Sequence, residues 1–389
     1  MGLSGKKCLF LVQGEGRGHM TQSVSMKQIL ENAGAEVCGV MVGKSNRRTI
    51  PSFYVEKFGN IISTVESPNM AVDKKNRSVK EVRTFLKNLF LLPVFLKSIF
   101  LIHRRVKELK PDIIINFYEP LGGFYYLLFR PKVPMVCIAH HYMYLNREFE
   151  MPEKNWLKNL SLRFYTRLTS IGAKKRLALS FYPFRDDARN SIYVVPPLLR
   201  EEVTGHTVGN GNYLLVYLLN SGYIDDIIAW HNKNPDVILH CFTDNNNIKE
   251  PQFNYENLCF HAINDKIFID MMANAKGVVT TAGFESVCEA INMDKPVLMV
   301  PVKGHYEQFC NSRDAAKTGR CIYDESFNIT RFLKFIDSQE TNSTASFKEW
   351  VNQSHLMVIK HIYSILYENN NVRSIYTTIP GQYKRVQPV

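Results

Sequence analysis

No stretch of about 18 residues in this chain is free of charged and strongly polar side chains, so a membrane-spanning helix is not expected. No two of the eight cysteines are spaced C-x-x-C. A zinc site built on close ligand pairs is therefore not expected. The cysteines sit in apolar contexts and read as buried thiols of a reducing compartment. The amino terminus lacks the apolar core and small-residue cleavage pattern of a signal peptide, and the chain reads as cytoplasmic. Fixed-period repeats and low-complexity runs are absent as well. Apolar material is not scarce: 45% of the 389 residues are hydrophobic, including 24 Phe and 19 Tyr. That excludes a disordered or collagen-like chain. At roughly 150 residues per domain the length predicts two domains.

Acidic residues are scarce in the first half only. Residues 1–200 carry 32 Lys and Arg against 15 Asp and Glu, whereas residues 201–389 carry 16 against 21. Such asymmetry predicts that the first half meets an anionic partner. No nucleic-acid-binding module is recognisable, so nucleic acid is not the expected partner. An acidic membrane surface and an anionic acceptor remain.

The order of patterns is βα throughout. A continuously apolar strand over 7–12 leads through a glycine-rich turn to a helix over 21–32 and a strand over 37–42, a βαβ opening. Further buried strands are expected over 112–117 and 135–139. Basic helical stretches are expected over 78–109, interrupted at Pro93, and over 153–176. Residues 201–210 are polar and read as a linker. A second βα series follows, with strands over 213–219, 237–242, 258–260, 277–280 and 296–300 and a final long helix over 345–369. The expected architecture is α/β, with two doubly wound Rossmann-like domains, 1–200 and 211–360, facing each other across a cleft. Residues 361–389 read as the end of that helix and a tail.

Two phosphate motifs fail on spacing. The glycines of Gly14-Glu15-Gly16-Arg17-Gly18-His19 do not fit G-x-G-x-x-G, because the third position is His19. Gly43-Lys44-Ser45 would need an earlier glycine where Cys38 stands, so it is not a P-loop. Another segment fits better. Residues 280–290 leave a strand, turn at Gly283 and begin a helix whose free N–H groups and dipole suit a phosphate. Ser286 adds a hydroxyl in the first turn. Glu289 lies on the same side of that helix as Ser286 and Glu285, placed to accept bonds from ribose hydroxyls.

From here the chain resembles GT-B glycosyltransferases that use UDP-sugars. It is similar both to the plant and bacterial UDP-glycosyltransferase superfamily and to the bacterial enzyme that adds N-acetylglucosamine to the lipid-linked peptidoglycan precursor. The family box is matched by Gly283, Ser286, Glu289, Pro296, Pro301, Glu307, Gln308 and Asn311. It is not matched at Thr281, where plant members carry a phosphate-binding histidine, or at Glu285, where they carry asparagine. The resemblance implies that Glu289 binds the ribose and that Glu307 and Gln308 hold the donor sugar. Thr281, Gly283 and Ser286 are implied near the phosphates. So are Gly16, Gly18, Ser221 and Gly222, and Ile263 is implied beside the uracil. It further implies His19 as the base, oriented by an acid for which Glu119 is the candidate. Asn116 stands where some bacterial relatives have Asp, and His140 and His141 are expected to face the cleft.

The activity so implied is inverting transfer of a sugar from a nucleotide-sugar, a UDP-sugar, to a hydroxyl acceptor. Neither a metal nor a cofactor is expected beyond that co-substrate. Two alternatives stay open: an enzyme like UDP-N-acetylglucosamine 2-epimerase, and a non-catalytic nucleotide-sugar-binding subunit. Residues 84–107 and 156–176 mix Lys and Arg with Leu, Phe and Trp156, which suits peripheral contact with anionic lipid and a lipid-linked acceptor. They suit equally well amphipathic helices packed on the domain sheet.

Overall fold

In a computed structural model the described residues are 2–44, 49–69, 81–218, 221–244, 251–339 and 344–367. The first sheet is built from β1 (Lys7–Val12), β2 (Glu36–Lys44), β3 (Ile62–Glu66), β4 (Ile113–Phe117), β5 (Met135–Ala139), β6 (Lys175–Leu179) and β7 (Ile192–Val195). The second contains β8 (Tyr213–Leu218), β9 (Ile238–Thr243), β10 (Gln252–Tyr255), β11 (Leu258–Ala262), β12 (Gly277–Thr280), β13 (Val297–Met299) and β14 (Cys321–Tyr323). The strand orders are β3-β2-β1-β4-β5-β6-β7 and β10-β11-β9-β8-β12-β13-β14. Every pairing is parallel except that of β10 with β11. The central strands β1, β4 and β5 are almost wholly buried. Parallel strands covered by helices on both faces need such near-continuous apolar runs.

In each sheet the order reverses between two central strands, β1 and β4 in the first, β8 and β12 in the second. Ligands of open α/β sheets bind at the carboxyl ends beside such reversals. Both loops there carry a non-glycine residue in the left-handed region, Tyr118 at φ 60° after β4 and Ala282 at φ 59° after β12. Strain of this kind costs on the order of 1 kcal/mol or more, and it gathers at functional sites.

Several elements differ from the sequence pattern. The first helix runs Arg17–Asn32 with Gly16 as its N-cap, so His19 sits in its first turn. Glycine there leaves the helix-start N–H groups without a side-chain cap. The strands β3, β6, β7, β10 and β14 are short, and four of them lie at sheet edges with β6 next to one. The expected final helix is broken at Gln353 into Ala345–Asn352 and Ser354–Tyr367. Both pieces return to the first sheet. Trp350 Nε1 donates to the Ser180 carbonyl at 3.0 Å, and His361 packs on Tyr193. Residues 368–389 of the expected tail lie outside the described residues.

Candidate active site

The loop after β1 comes close to β2 because Gly14 and Gly43 have no side chains. A Cβ at Gly14 would stand 1.9 Å from the Gly43 carbonyl oxygen. That approach aims the Arg17–Asn32 helix across the cleft at the helix Phe284–Asn292 of the second domain. A Cβ at Gly18 would lie 3.5 Å from Glu285 Cβ, and at Gly16 it would meet nothing within 4 Å. Gly283, the N-cap of the second helix, is as unconstrained: a Cβ there meets only Ser286 Oγ, at 3.6 Å. Two helix amino termini thus face one region. Their N–H groups and dipoles favour an anion between them.

His19 is 8% exposed. Its ring stacks on Tyr118 with centroids 5.6 Å apart and lies 5.5 Å from the ring of His141. His141 in turn stacks on Tyr118 at 3.8 Å. From the second domain Glu307 Oε2 reaches His141 Nε2 at 3.0 Å. Burial pushes the His19 imidazole down to about 3, and His141 adds to this, while Glu307 and Gln22 pull it upward. His19 is therefore neutral near pH 7, and its Nδ1 is buried with no hydrogen-bond partner. Burial would raise the Glu307 carboxyl, but His141, with its hydrogen bond, and His305 hold it well below the usual range. An ionised carboxylate and a neutral imidazole thus share one enclosed site.

The structure takes Glu119 elsewhere. Its Oε1 accepts from Ser67 Oγ at 2.6 Å and from the Leu121 N–H at 3.1 Å, capping the helix Pro120–Phe129. Glu119 is fully buried, and burial pushes its carboxyl up to about 7 against those two bonds. Asn116 holds the same turn through the Glu119 backbone and the Thr169 carbonyl. The acid whose charge reaches His19 is Glu307, not Glu119.

Glu289, 3% exposed, pairs with Arg200, whose Nη2 and Nε donate to Oε1 at 2.6 and 3.1 Å. Arg200 also binds Asp265. Arg200 and Asp265 border a cavity of about 900 Å³ between the domains, lined among others by Arg17, Phe53, Ile263 and Asn264. Ile263 follows β11, at the wall of this cavity. Gln308 Oε1 accepts the Val302 N–H at 2.8 Å and so fixes the loop after β13. Asn311 accepts from Tyr144 and donates to Glu307 Oε1 and to the Ala282 carbonyl, both at 3.4 Å. Thr281 is buried behind that loop, and Ser286 is half-buried with its hydroxyl 3.4 Å from the Gly283 carbonyl. Ser221 and Gly222 form a single 3-10 turn at the end of β8, whereas Asn220 lies outside the described residues. His140 sets its Nδ1 against the Leu179 carbonyl at 2.7 Å, stacks its ring on Phe284 of the second domain and brings Nε2 to 3.9 Å from Asp314 Oδ2.

Sequence reasoning does not find Tyr118 or Arg200. Tyr118 carries no motif, and its role comes from the turn that points it at two histidines. Arg200 precedes the linker and gains its partners only when the domains meet. Gln22 donates to Glu285 Oε2 at 3.0 Å across the same boundary. Burial, with Glu289 close by, raises the Glu285 carboxyl well above its ordinary value, so it adds little negative charge beside the two helix ends.

Residues 6–338 match the family model described as Glycosyl transferase family 1. The fold is shared with a glycosyltransferase, UGT2, of Phytolacca americana, solved with UDP-2-fluoroglucose and pterostilbene. That likeness has TM-score 0.61 and 10% identity, over 94% of this chain and 100% of that one. MnaA of S. aureus, solved with UDP, is similar at TM-score 0.59 and 12% identity, over 96% and 100%. MurG of Acinetobacter baumannii is similar at TM-score 0.53 and 15% identity, over 92% and 99%. At these identities the likeness shows the fold, which is GT-B. A comparison with curated protein sequences finds no match.

Proposed function

The chain belongs to glycosyl transferase family 1, and on that premise we propose that it moves a sugar from a UDP-sugar, with inversion, to a hydroxyl of a lipid-borne acceptor at an anionic membrane surface. The observation that carries this reading is the contact of His141 with Glu307 across the domain boundary, beside the His19 ring, together with a 900 Å³ cavity whose wall holds Arg200, the partner of Glu289. In this reading the nucleoside lies along Ile263 and the ribose binds Glu289. Both Arg200 bonds fall on Oε1 of that acid, so ribose hydroxyls bind the other oxygen. The leaving diphosphate settles between the two helix amino termini, whose fixed dipoles stabilise its growing charge without a metal. Gln308 and Glu307 hold the sugar hydroxyls, and Glu307 exchanges its His141 contact for them. His19, neutral at the start, takes the proton of the attacking hydroxyl.

The acceptor side is supported by one exposed face of the first domain. The helices Leu92–Leu109, Pro120–Phe129 and Trp156–Thr169 lie side by side there. They expose Leu96, Phe100, Leu128, Trp156, Leu157 and Phe164, and Phe90, just before the first of them, is 81% exposed. Lys97, Arg104, Lys158 and Arg167 are exposed among them. No helix among the described residues is long and apolar enough to cross a membrane. A basic apolar face lying on lipid fits both facts. The last of these helices also touches the cleft, since Tyr306, next to Glu307, donates to Asn159 Oδ1 at 2.6 Å.

Thermal stabilisation by UDP-, GDP-, dTDP- and CMP-sugars tests the donor, followed by turnover with lipid extracts. UDP-sugars are expected to stabilise most. Glu289→Ala is expected to weaken UDP at least tenfold in calorimetry, and Gln308→Ala to spare UDP but weaken the UDP-sugar. Unchanged UDP affinity in Glu289→Ala overturns the ribose assignment. Turnover that requires added Mg²⁺ or Mn²⁺ overturns the metal-free leaving group.

A further inference from the structure

In the second sheet, β9 and β11 bring three metal-ligating side chains to one face. In their parallel register Cys259 pairs with His240. His261 comes two residues later on β11, and alternate residues of a strand share a face. His240 Nδ1 and His261 Nε2 are 2.9 Å apart. Cys259 Sγ completes a triangle in which all ligand atoms lie within 4.8 Å of one another. The rings are set by packing: Phe242 stacks on His261 with centroids 4.8 Å apart, and Tyr213 meets His240 edge-on at 5.0 Å. Cys259 is buried, while both histidines are half-buried.

We propose that His240, Cys259 and His261 bind one thiophilic d¹⁰ metal ion, of the zinc or monovalent-copper class, through two imidazole nitrogens and one thiolate. A ligand set of one sulfur and two imidazoles suits these ions and not magnesium or calcium, which take oxygen ligands. Tetrahedral zinc with bonds of about 2.0–2.3 Å holds its ligand atoms about 3.3–3.6 Å apart. The triangle reaches that spacing if the histidines part slightly and the sulfur moves in. The half-exposed rings leave the fourth position to water. As the sulfur–metal bond forms, the Cys259 proton leaves to solvent. The ion ties β9 to β11 just before Ile263. It plays no part in sugar transfer and would serve as a clamp on the wall of the cavity.

Untagged full-length protein, freed of metal by chelator under reducing conditions, is titrated with Zn²⁺ in a calorimeter and with Co²⁺ by absorption. One equivalent of Zn²⁺ is expected, together with a thiolate-to-cobalt charge-transfer band in the near ultraviolet. Cys259→Ser should abolish the band and weaken Zn²⁺ at least tenfold. His261→Gln should weaken Zn²⁺ similarly, whereas His355→Gln, an exposed histidine elsewhere, should change nothing. Circular dichroism of the metal-free variants checks that they are folded. Absence of the band, or equal Zn²⁺ affinity in wild type and both folded ligand variants, overturns the proposal.

Discussion

At the scale of single residues, environment decides more than residue type. His19 and Glu119 were both read from the sequence as candidate catalytic groups, and burial moves them in opposite senses. His19 is pushed down to about 3 and stays neutral. Glu119 is pushed up to about 7. The neutral imidazole is the form that can accept a proton, so His19→Ala is expected to lower turnover by about 10²–10⁴-fold. UDP binding should hardly change, which calorimetry can check. Glu119 carries a different expectation. Its folded value lies above the ordinary 4.5, so the folded state holds a proton that the unfolded chain has lost between about pH 4.5 and 7. The stability linked to Glu119 is full below that window and is lost as pH rises through it. Glu119→Gln keeps a neutral acceptor for Ser67 and removes the titration. Its thermal midpoint should equal wild type near pH 4.5 and exceed it at pH 8, by a stabilisation on the order of 2–3 kcal/mol. A constant difference at both pH values would show that Glu119 does not titrate there.

At the scale of elements, the close approach of β1 and β2 aims the first helix. A Cβ at Gly14 would overlap the Gly43 carbonyl. At Gly43 it would overlap Glu119 Oε2, at 2.2 Å. Gly14→Ala should therefore cost about 2 kcal/mol or more in chemical denaturation, and donor-induced stabilisation should drop with it. Gly16→Ala meets no neighbour and is expected to leave the denaturation midpoint within about 0.5 kcal/mol of wild type. If Gly16→Ala also weakens the UDP-sugar, the space beside Gly16 belongs to the ligand. The two glycines read alike in sequence, and only the neighbouring strand separates them. The same holds for Gly283, where the pattern places the sharp turn. The left-handed residue is Ala282, one position earlier, and Gly283 is extended at φ −72°. The glycine frees space at the helix end and does not make the bend.

At the scale of the molecule, the two domains are joined by an apolar cluster that runs across the boundary, with Phe181 on Phe284, and by polar pairs beside it. His141–Glu307, Gln22–Glu285, Arg200–Glu289 and Tyr144–Asn311 all cross the boundary. In the proposed donor mode Glu307 exchanges its His141 contact for the sugar, so donor binding and domain closure compete at that acid. The returning helices Ala345–Asn352 and Ser354–Tyr367 strap the second domain to the first. On the outer surface the basic apolar face should bind anionic vesicles. Cosedimentation with phosphatidylglycerol vesicles at low salt should recover the protein, and high salt should release it, because exposed charges are screened. Replacing both Phe90 and Trp156 with Asp should lower recovery at least fivefold and leave the circular dichroism unchanged. Equal recovery on neutral and anionic vesicles would leave the acceptor a soluble one.

The sequence by itself determined the α/β class, the positions of the central strands and the box from Gly283 to Asn311. Buried parallel strands must be apolar throughout, and a phosphate site must follow a strand and open a helix, so both leave local signatures. The strands β3, β6, β7, β10 and β14 left little trace, because short strands at or beside a sheet edge need not carry the continuous apolar run that marks the equally short central strands β4, β5 and β12. Only the tertiary structure decided which acid faces His19, that Arg200 sits on Glu289, and that the last helix crosses back to the first sheet. It alone placed His240, 19 and 21 residues from its partners, beside Cys259 and His261. Contacts between distant segments depend on register and domain packing, and neither is written in the local spacing of residues.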